Sequence, residues 1–343
     1  MSKSTNTGGP KGFSRRSVLT LAGASLLPLA AAACGKGAGG EYPSNTVRIM
    51  APADPGGGWD TTARELQACM EKAKLADSAE VYNVKSVAGI AGLNQFVKKA
   101  HGKPHELMIT GLVMVAGIVD QQSSTGLSHV TPIATLTQEQ EVIVVHKDSP
   151  YETIDDLIAG LVEKKTKLIW GGGSKGGTDE VVALMLADTD KAKKAGASPK
   201  DVKYIGTSGG GDSIKDVLNG DLDVAISGVS EYAEQIKSGD FRALAVSGAK
   251  AEDTGKGETE TLTDLGYDVE VLNWRGIVAP KGIDSDQKKD ITKLITDTCE
   301  SKEWKATCDK EGWIEFLKTG EDCTTFFNDE NGKVTKIYDK VGR

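Results

Sequence analysis

The chain has 343 residues, of which 38% are hydrophobic, 41 are glycine and 10 are proline. This composition is typical of a globular protein with many glycine loops and excludes a disordered or fibrous chain. The formal net charge is −8, which argues against nucleic acid as a partner, because proteins that bind nucleic acid need a basic surface.

The N-terminal segment has the pattern of an export signal. Residues 14–19 resemble the twin-arginine export motif, and the apolar run at 18–33 is shorter than the roughly 20 residues that a membrane-spanning helix needs. Three alanines and Cys34 resemble a bacterial lipobox. We therefore predict a signal peptide over residues 1–34, a lipidated Cys34, and a flexible tether over 35–45. Ordinary secretion, with Cys34 removed or unmodified, is the alternative.

No later stretch is apolar for long enough to span a bilayer. We therefore expect the body of the protein at the outer face of the cytoplasmic membrane, in contact with the membrane only through the lipid anchor.

Four further cysteines follow this segment, at Cys69, Cys299, Cys308 and Cys323. Outside the cytoplasm an even set of cysteines favours disulfides, and three pairings remain open. A metal site is disfavoured because the chain has no Cys-x-x-Cys motif and no histidine after His146. We expect neither a metal nor a cofactor.

Short β-rich runs alternate with helical patterns along the rest of the chain. Strands are predicted at 46–51, 81–84, 107–110, 141–146, 167–170, 202–205, 222–226, 242–246 and 270–279. Helices are predicted at 61–75, after a glycine loop at 86–92, and at 154–164, 178–188, 212–219 and 230–237. The pattern of residues 188–201 is that of a solvated insertion, and residues 249–261 have that of an exposed loop. The alternation predicts an α/β fold of parallel sheets with helices on both faces, in two domains.

Three glycine-rich loops each follow a strand and precede a helix: the first glycine loop (55–61), the second (171–179) and the third (206–213). A helix start offers unpaired N–H groups and the positive end of the helix dipole, which suit a carboxylate or a phosphate. Hydroxyl donors in these loops belong to Thr61, Ser174, Thr178, Thr207 and Ser208. For any one loop the alternative is a tight turn without a ligand. Because three such loops occur, we favour ligand binding at the carboxyl ends of the strands.

Two charged residues have both a structural and a functional interpretation. The side chain of Asp60 is predicted to cap the following helix, with Thr62 and Glu65 as a capping box, and ligand binding is the alternative. Arg275 lies in an apolar segment, where it can pair with a ligand carboxylate or with a structural acidic residue.

The second glycine loop also matches two enzyme motifs. Its Gly-x-Gly-x-x-Gly pattern is typical of dinucleotide binding, but the next strand does not end in the acidic residue that would hold a ribose. Its Gly-x-Ser-x-Gly pattern at 172–176 is typical of a nucleophile elbow, but all four histidines precede Ser174, which excludes the usual order of that catalytic triad. His101 and His105 have the spacing of helical metal ligands, yet the intervening Gly102 and Pro104 favour a solvated loop.

An ordered set of motifs resembles a known family. Residues 57–64 resemble the glycine, aspartate, alanine and arginine signature of the tripartite tricarboxylate transporter substrate-binding proteins. Further resemblances lie at 88–92, 172–174, 204–207, 218–223, 239–246 and 261–266.

This resemblance implies two doubly wound α/β domains of the type II periplasmic binding protein kind, which close on a ligand like a Venus flytrap. Domain 1 would comprise residues 46–140 and 247–343, and domain 2 would comprise 141–246. The first and second glycine loops would face each other across the cleft and bind carboxylate through amides, hydroxyls and water. The ligand-binding residues implied are Gly57, Gly58, Trp59, Asp60, Thr61, Ala91, Thr137, Ser174, Lys175, Gly177, Thr178, Thr207, Ser227 and Arg275.

The resemblance also implies a substrate and a partner. Trp59 and the segment 273–276 are most similar to members that take tricarboxylates such as citrate, whereas Lys175 stands where many members have a histidine. The expected protein is a monomeric receptor that captures a small-molecule carboxylate and delivers it to integral-membrane transporter subunits. The alternatives are an exported hydrolase or nucleotide-dependent enzyme that uses Ser174, and a carboxylate sensor anchored as a lipoprotein.

Overall fold

The structure is a computed structural model and describes residues 42–207 and 210–343. The predicted signal peptide, Cys34 and most of the predicted tether lie outside the described residues, as do residues 208 and 209 of the third glycine loop.

Strands and helices alternate along most of the described chain. The strands are β1 (Val47–Ala51), β2 (Ala79–Asn83), β3 (Glu106–Gly111), β4 (Val130–Gln138), β5 (Glu141–His146), β6 (Ile169–Gly172), β7 (Lys203–Gly206), β8 (Val224–Gly228), β9 (Phe241–Val246), β10 (Glu252–Asp253), β11 (Glu258–Thr259), β12 (Arg275–Pro280) and β13 (Ile314–Glu315). The helices are α1 (Gly58–Lys72), α2 (Ile90–Lys99), α3 (Leu112–Asp120), α4 (Ile154–Lys164), α5 (Thr178–Asp188), α6 (Asp190–Ala195), α7 (Gly210–Asn219), α8 (Val229–Ser238), α9 (Ser285–Glu300), α10 (Lys302–Glu311) and α11 (Gly320–Val341).

Two main sheets organise these elements. The first sheet has the strand order β13-β4-β12-β3-β1-β2 and the second has the order β7-β6-β8-β5-β9, while β10 and β11 form a separate hairpin. The α/β class is as predicted, and each strand predicted from the sequence overlaps an observed one.

The prediction of purely parallel sheets is wrong. In the first sheet β1 pairs in parallel with β2 and β3, but β12 runs antiparallel to both β3 and β4. In the second sheet β6 pairs in parallel with β7 and β8, but β5 runs antiparallel to β8 and β9. Strands β5 and β12 run against their neighbours, and each is the first strand of its sheet after the chain passes from the other sheet. Their direction follows from this crossing, whereas β4 and β9 come after α3 and α8 and keep the directions of β3 and β8.

Two segments between the strands differ from their predictions. Residues 188–201 are not a solvated insertion, because they form α6 and a short helical turn whose Ala192 and Pro199 are buried. Residues 249–261 are mostly exposed but include the β10–β11 hairpin, in which Glu252 pairs with Thr259. Among the described helices none is both long and apolar enough to cross a membrane.

One hydrophobic core reaches both main sheets. It contains the fully buried Trp170 on β6 and Trp274 just before β12, and it continues to Trp304 on α10. A smaller cluster lies under α7 and α8, around Tyr232 and Phe241.

The disulfide prediction is wrong for the described cysteines. Cys69, Cys299, Cys308 and Cys323 are all buried free thiols. The Cys69 Sγ atom lies 3.6 Å from the Thr307 hydroxyl where α1 packs on α10. Burial raises the pKa of Cys308 and that of Cys323 to about 12, so these thiols behave as small hydrophobic side chains that fill the core between helices.

Candidate functional site

The first glycine loop joins β1 to α1, and Asp60 holds it in place. The carboxylate of Asp60, only 3% exposed, accepts hydrogen bonds from the Gly56 amide (2.8 Å), Arg64 Nε (3.0 Å) and Asn83 Nδ2 (2.8 Å). Burial opposes ionisation, but these hydrogen bonds outweigh it and hold the pKa of Asp60 below its ordinary value. Asp60 is therefore committed to internal partners and closes the turn that leads into the helix.

The predicted capping box at Thr62 and Glu65 is wrong. The helix already begins at Gly58, with Gly57 as its N-cap, so Thr62 lies inside it and its hydroxyl donates to the Gly58 carbonyl at 2.8 Å. Glycine at three successive positions lets the chain turn directly from the strand into the helix.

Arg275 lies against the start of α1. A Cβ atom on Gly58 would be 3.0 Å from Arg275 Nη2, so the guanidinium and the loop backbone are in contact. The same Nη2 atom donates to Glu139 Oε2 at 2.7 Å, and the guanidinium lies over the Trp313 ring at 5.2 Å. Of the two interpretations left open, the structure supplies a structural acidic partner, and Arg275 is only 7% exposed.

Glu139 joins the two sheets at this point and is the residue that the sequence analysis missed. Its second carboxylate oxygen accepts a hydrogen bond from the Ser230 hydroxyl at 2.7 Å, in the first turn of α8. A Cβ on Gly228 would lie 2.1 Å from the same oxygen. Glu139 thus contacts Arg275 of the first sheet and the β8–α8 turn of the second. Its position between two apolar strands, where a buried charge needs a partner, was the signal available in the sequence.

The second glycine loop directs much of its hydrogen bonding inward. The Gly173 amide donates to Asp179 Oδ2 at 2.5 Å, and the Gly176 amide donates to Glu180 Oε2 at 2.7 Å. Both acceptors belong to the first turn of α5, where carboxylates are stabilised by the helix dipole. The Thr207 hydroxyl donates to the Gly172 carbonyl at 2.5 Å, which ties the third glycine loop to the second.

The remaining predicted residues of the second loop differ in exposure. Ser174 is half-buried and Lys175 is exposed, whereas Gly177 and Thr178 are buried. The Gly177 amide donates to the Ser174 carbonyl at 2.9 Å. The Thr178 hydroxyl lies 3.5 Å from Asn273 Oδ1, on the segment that returns to the first sheet.

Buried acidic side chains lie beneath the second loop, which the glycine pattern did not predict. Glu141, the first residue of β5, is fully buried, and neither of its carboxylate oxygens has a hydrogen-bond partner among the described residues. Burial raises the pKa of Glu141 well above its ordinary value, and the nearby Asp179 and Glu139 raise it further. Burial likewise raises the pKa of Asp179 from 3.8 to about 7. The site therefore contains carboxyl groups that bind a proton more readily than free ones, and a protonated carboxyl group can donate a hydrogen bond.

The predicted residues outside the two loops are distributed as follows. Thr137 is buried and pairs across the strands with Arg275, so it lies beside the first loop. The Ser227 hydroxyl donates to Glu231 at 2.6 Å, on the strand position next to the partner of Glu141. Ala91 is exposed on α2, and its amide donates to the Ser86 hydroxyl at 2.7 Å.

Two groups of predicted residues are therefore brought together. Gly58, Trp59, Thr137 and Arg275 meet at the first sheet, and Trp59 packs against the Gly111 backbone that precedes α3. The second group lies at the second sheet and comprises Ser174, Lys175, Gly177, Thr178, Thr207 and Ser227. Gly57 and Thr61 flank the first group, and Ala91 follows Gly89, which contacts the Trp59 ring.

A separate cavity of about 270 Å³ has a mostly apolar lining and contains none of the predicted ligand residues. It lies between α5, which contributes Val181 and Met185, and α11, which contributes Phe326 and Val334, with Trp274 at one wall. We place the candidate site at the glycine loops because polar groups converge there. Among the residues that the structure describes, no group of three histidine, cysteine or acidic side chains is arranged to hold a metal ion.

Comparisons with known proteins agree with this architecture. A curated relative encoded in the TAR-I ttuE-ttuC' intergenic region of Agrobacterium vitis is 25% identical over 283 residues, which is 82% of this chain and 77% of the relative. MatC from Rhodopseudomonas palustris, solved with bound malate, is 17% identical, with a TM-score of 0.70 over 88% of this chain and 100% of MatC.

A second R. palustris protein, solved with adipate, is also 17% identical, with a TM-score of 0.72 over 88% of this chain and 98% of that protein. At this level of identity the two solved structures establish the fold. The profile of the tripartite tricarboxylate transporter family receptors matches residues 63–343. The chain therefore belongs to this family of periplasmic solute-binding receptors, which have two α/β domains and bind a solute rather than catalyse a reaction.

Proposed function

We propose that the protein captures a small carboxylate between the first and second glycine loops and delivers it to the integral-membrane subunits of a tripartite tricarboxylate transporter. Citrate or another tricarboxylate is the favoured ligand, because of the resemblance carried by Trp59 and the 273–276 segment. The malate and adipate named for the two R. palustris proteins support small aliphatic carboxylates as the ligand class.

One observation carries the proposal: α1 begins at a glycine loop whose backbone lies against the buried guanidinium of Arg275. The positive charge of this guanidinium is balanced within the protein. Arg275 is already paired with Glu139 at 2.7 Å, so the loop has no large excess of positive charge. Helix-start amides, hydroxyls and the outer edge of the guanidinium can together satisfy carboxylate oxygens without a dedicated counter-ion.

Capture by hinge closure is the mechanism that we propose. Domain 1 would comprise residues 46–140 and 247–343, and domain 2 residues 141–246, so that the chain crosses the hinge beside Glu139 and again at residues 246–247. A ligand that contacts both glycine loops is bound more tightly by the closed arrangement and shifts the population towards it. The receptor is expected to act as a monomer.

We also propose that the protein is exported and then anchored by a lipid on Cys34. The twin-arginine motif and the alanines before the cysteine support this. Cells that express the protein are grown with a fatty-acid analogue, and the label is expected on the wild type and absent from Cys34→Ala. Failure of the wild type to take up the label would contradict lipidation and leave ordinary secretion.

The ligand proposal is tested by thermal shift and calorimetric titration of the purified protein with citrate, isocitrate, tricarballylate, malate, succinate and adipate. At one hundred times its dissociation constant, a ligand adds about 2.7 kcal/mol to the free energy of unfolding. Ser174→Ala and Thr61→Val are each expected to weaken binding by about 1–2 kcal/mol through one lost hydrogen bond. Ser128→Ala, at an exposed hydroxyl beside His129, serves as the control.

The possible results test the identity of the ligand and the position of the site separately. A response to citrate and not to dicarboxylates supports tricarboxylate specificity. A response to malate or adipate alone keeps the receptor and rejects the favoured ligand. Unchanged affinity in both hydroxyl variants would contradict the placement of the site at the two loops.

A further inference from the structure

Arg343 makes a bridge between helices of both sheets, next to the second glycine loop. Its Nε atom donates to Asp120 Oδ1 at 2.5 Å, and its Nη2 atom donates to Glu180 Oε2 at 3.3 Å, while Nη1 pairs with the other oxygen of Glu180. Asp120 is the last residue of α3, on the first sheet, and Glu180 lies in the first turn of α5, on the second.

The bridge is well enclosed. The exposed fractions of the side chains are 26% for Arg343, 14% for Asp120 and 3% for Glu180. The Arg343 guanidinium also lies 4.9 Å from the centre of the Tyr338 ring. A two-pronged guanidinium contact with enclosed carboxylates is geometrically specific, and removing the cation leaves two carboxylates without their counter-charge.

Both carboxylates of the bridge also contact the second glycine loop. Glu180 Oε2 accepts the Gly176 amide at 2.7 Å. Gly176 has a φ of +76°, and a Cβ atom there would lie 2.6 Å from Asp120 Oδ2. The loop that presents Ser174 and Gly177 is therefore held between the two partners of Arg343.

We propose that Arg343 is a positioning residue for the second glycine loop, and that the Asp120–Arg343–Glu180 bridge holds this loop against α3 in the arrangement that binds ligand. This inference rests on the proposed function in one respect, namely that the second loop contacts the ligand. Without the guanidinium, the two carboxylates repel each other, Glu180 loses the contact that orients it towards the Gly176 amide, and the loop becomes more mobile.

A neighbouring ion pair provides a matched control. Lys340 lies near the end of α11, three residues before Arg343, and pairs with Asp188 at the opposite end of α5 from the second loop. Lys340→Met therefore removes another link from this part of the chain to α5 without touching the loop. If the only role of Arg343 is to fasten this part of the chain to α5, both substitutions have the same effect.

The test compares the wild type with Arg343→Met and Lys340→Met by two measurements on the full chain. Hydrogen exchange of peptides that cover residues 171–180 is measured without ligand, and affinity and dissociation rate are measured with citrate, malate and adipate as probes. We expect Arg343→Met to exchange faster at 171–180 and to bind about tenfold or more weakly, through faster dissociation. Lys340→Met is expected to match the wild type in both.

Wild-type exchange at 171–180 in Arg343→Met, or equal acceleration in Lys340→Met, would overturn the proposal. If the wild type binds none of the three probes, the proposed function fails, and the exchange measurement still decides the role of Arg343. If Arg343→Met does not fold, Arg343→Lys replaces it. Lysine keeps the charge but cannot contact both carboxylates as a fork, so faster exchange at 171–180 is still expected and wild-type exchange overturns the proposal.

Discussion

At Gly58 the backbone of the first glycine loop lies against the guanidinium of Arg275. A methyl group there would stand 3.0 Å from Nη2 and force the guanidinium to move by a few tenths of an ångström. We expect Gly58→Ala to weaken carboxylate binding by about 1 kcal/mol, roughly fivefold, while the protein stays folded. Calorimetric titration measures this change. Gly126→Ala, whose added methyl has an ordinary contact of 3.7 Å with Ile118, is the control, and equal affinity of both variants would contradict the role of Arg275.

Glu141 and Asp179 predict an unusual dependence of stability on pH. Both carboxyl groups have a raised pKa in the folded state, about 7 for Asp179, chiefly because burial disfavours the charged form. At these two groups the folded state therefore holds more protons than the unfolded state above about pH 4, and their contribution to the free energy of unfolding falls as the pH rises towards 7 and beyond. The charged groups that face Glu141 are Asp179, Glu139, Glu231 and Arg275.

Glu141→Gln is expected to reduce the loss of stability that accompanies a rise in pH. The variant should match the wild type near pH 4 and melt about 3 °C or more above it at pH 8, because a neutral amide replaces a buried carboxylate that has no hydrogen-bond partner. Melting curves by circular dichroism between pH 4 and pH 8 measure the difference. Glu234→Gln on the exposed face of α8 should melt like the wild type throughout. If the melting temperatures of Glu141→Gln and the wild type differ by the same amount at every pH, Glu141 does not titrate as the structure indicates.

Residue types and spacing identified the glycine loops, but not the partners of their charged groups. Asp60 was predicted to cap the helix, but the N-cap is Gly57 and no side chain caps it there. The bonds that Asp60 makes instead, to Asn83 and Arg64, depend on the neighbouring strand as well as its own helix. Glu139 escaped the sequence analysis because its two partners, Ser230 and Arg275, are more than ninety residues away. Contacts at that distance along the chain leave no periodic signal.

At the scale of single helices, two interior glycines have opposite roles. Gly332 in α11 has open space where a Cβ would be, whereas a Cβ on Gly160 in α4 would lie 2.4 Å from the Tyr151 ring. Gly332→Ala is expected to raise the free energy of unfolding by about 0.5–1 kcal/mol, because alanine loses less backbone entropy in a helix. Gly160→Ala is expected to lower it by about 1–3 kcal/mol through overpacking. Chemical denaturation measures the free energy of unfolding of both variants. If the two values change in the same direction, the two glycines do not have opposite roles.

Among the elements that the structure describes, those not predicted from the sequence are β4, β10, β11, β13, α3, α6, α9, α10 and α11. Two of these, α3 and β4, lack a clear period. The apolar run of α3 follows directly on β3, so no polar residue separates the strand from the helix. In β4, Pro132 and three threonines interrupt the apolar pattern, yet the strand is buried between β12 and β13. In both elements tertiary packing, not local propensity, decides the conformation.

For the whole molecule, the shared core predicts a single unfolding transition. Because one cluster contains Trp170 of the second sheet and Trp274 beside the first, unfolding either domain would expose apolar surface of the other. Calorimetry, circular dichroism and tryptophan fluorescence are therefore expected to report coincident transitions, which shift together when a carboxylate binds. Two separate transitions, of which ligand moves only one, would show that the domains unfold independently.

The sequence by itself determined the α/β class, most of the strands, the glycine loops at helix starts and the membership of a receptor family, because these depend on local periodicity, turn chemistry and ordered motifs. Only the tertiary structure decided the mixed direction of the strands, the free thiols, the buried carboxyls at Glu141 and Asp179, and the bridge at Arg343. Each of these depends on which distant segments meet. The energy of a buried charge or thiol is set by the partners and the solvent exclusion that the folded chain brings to it.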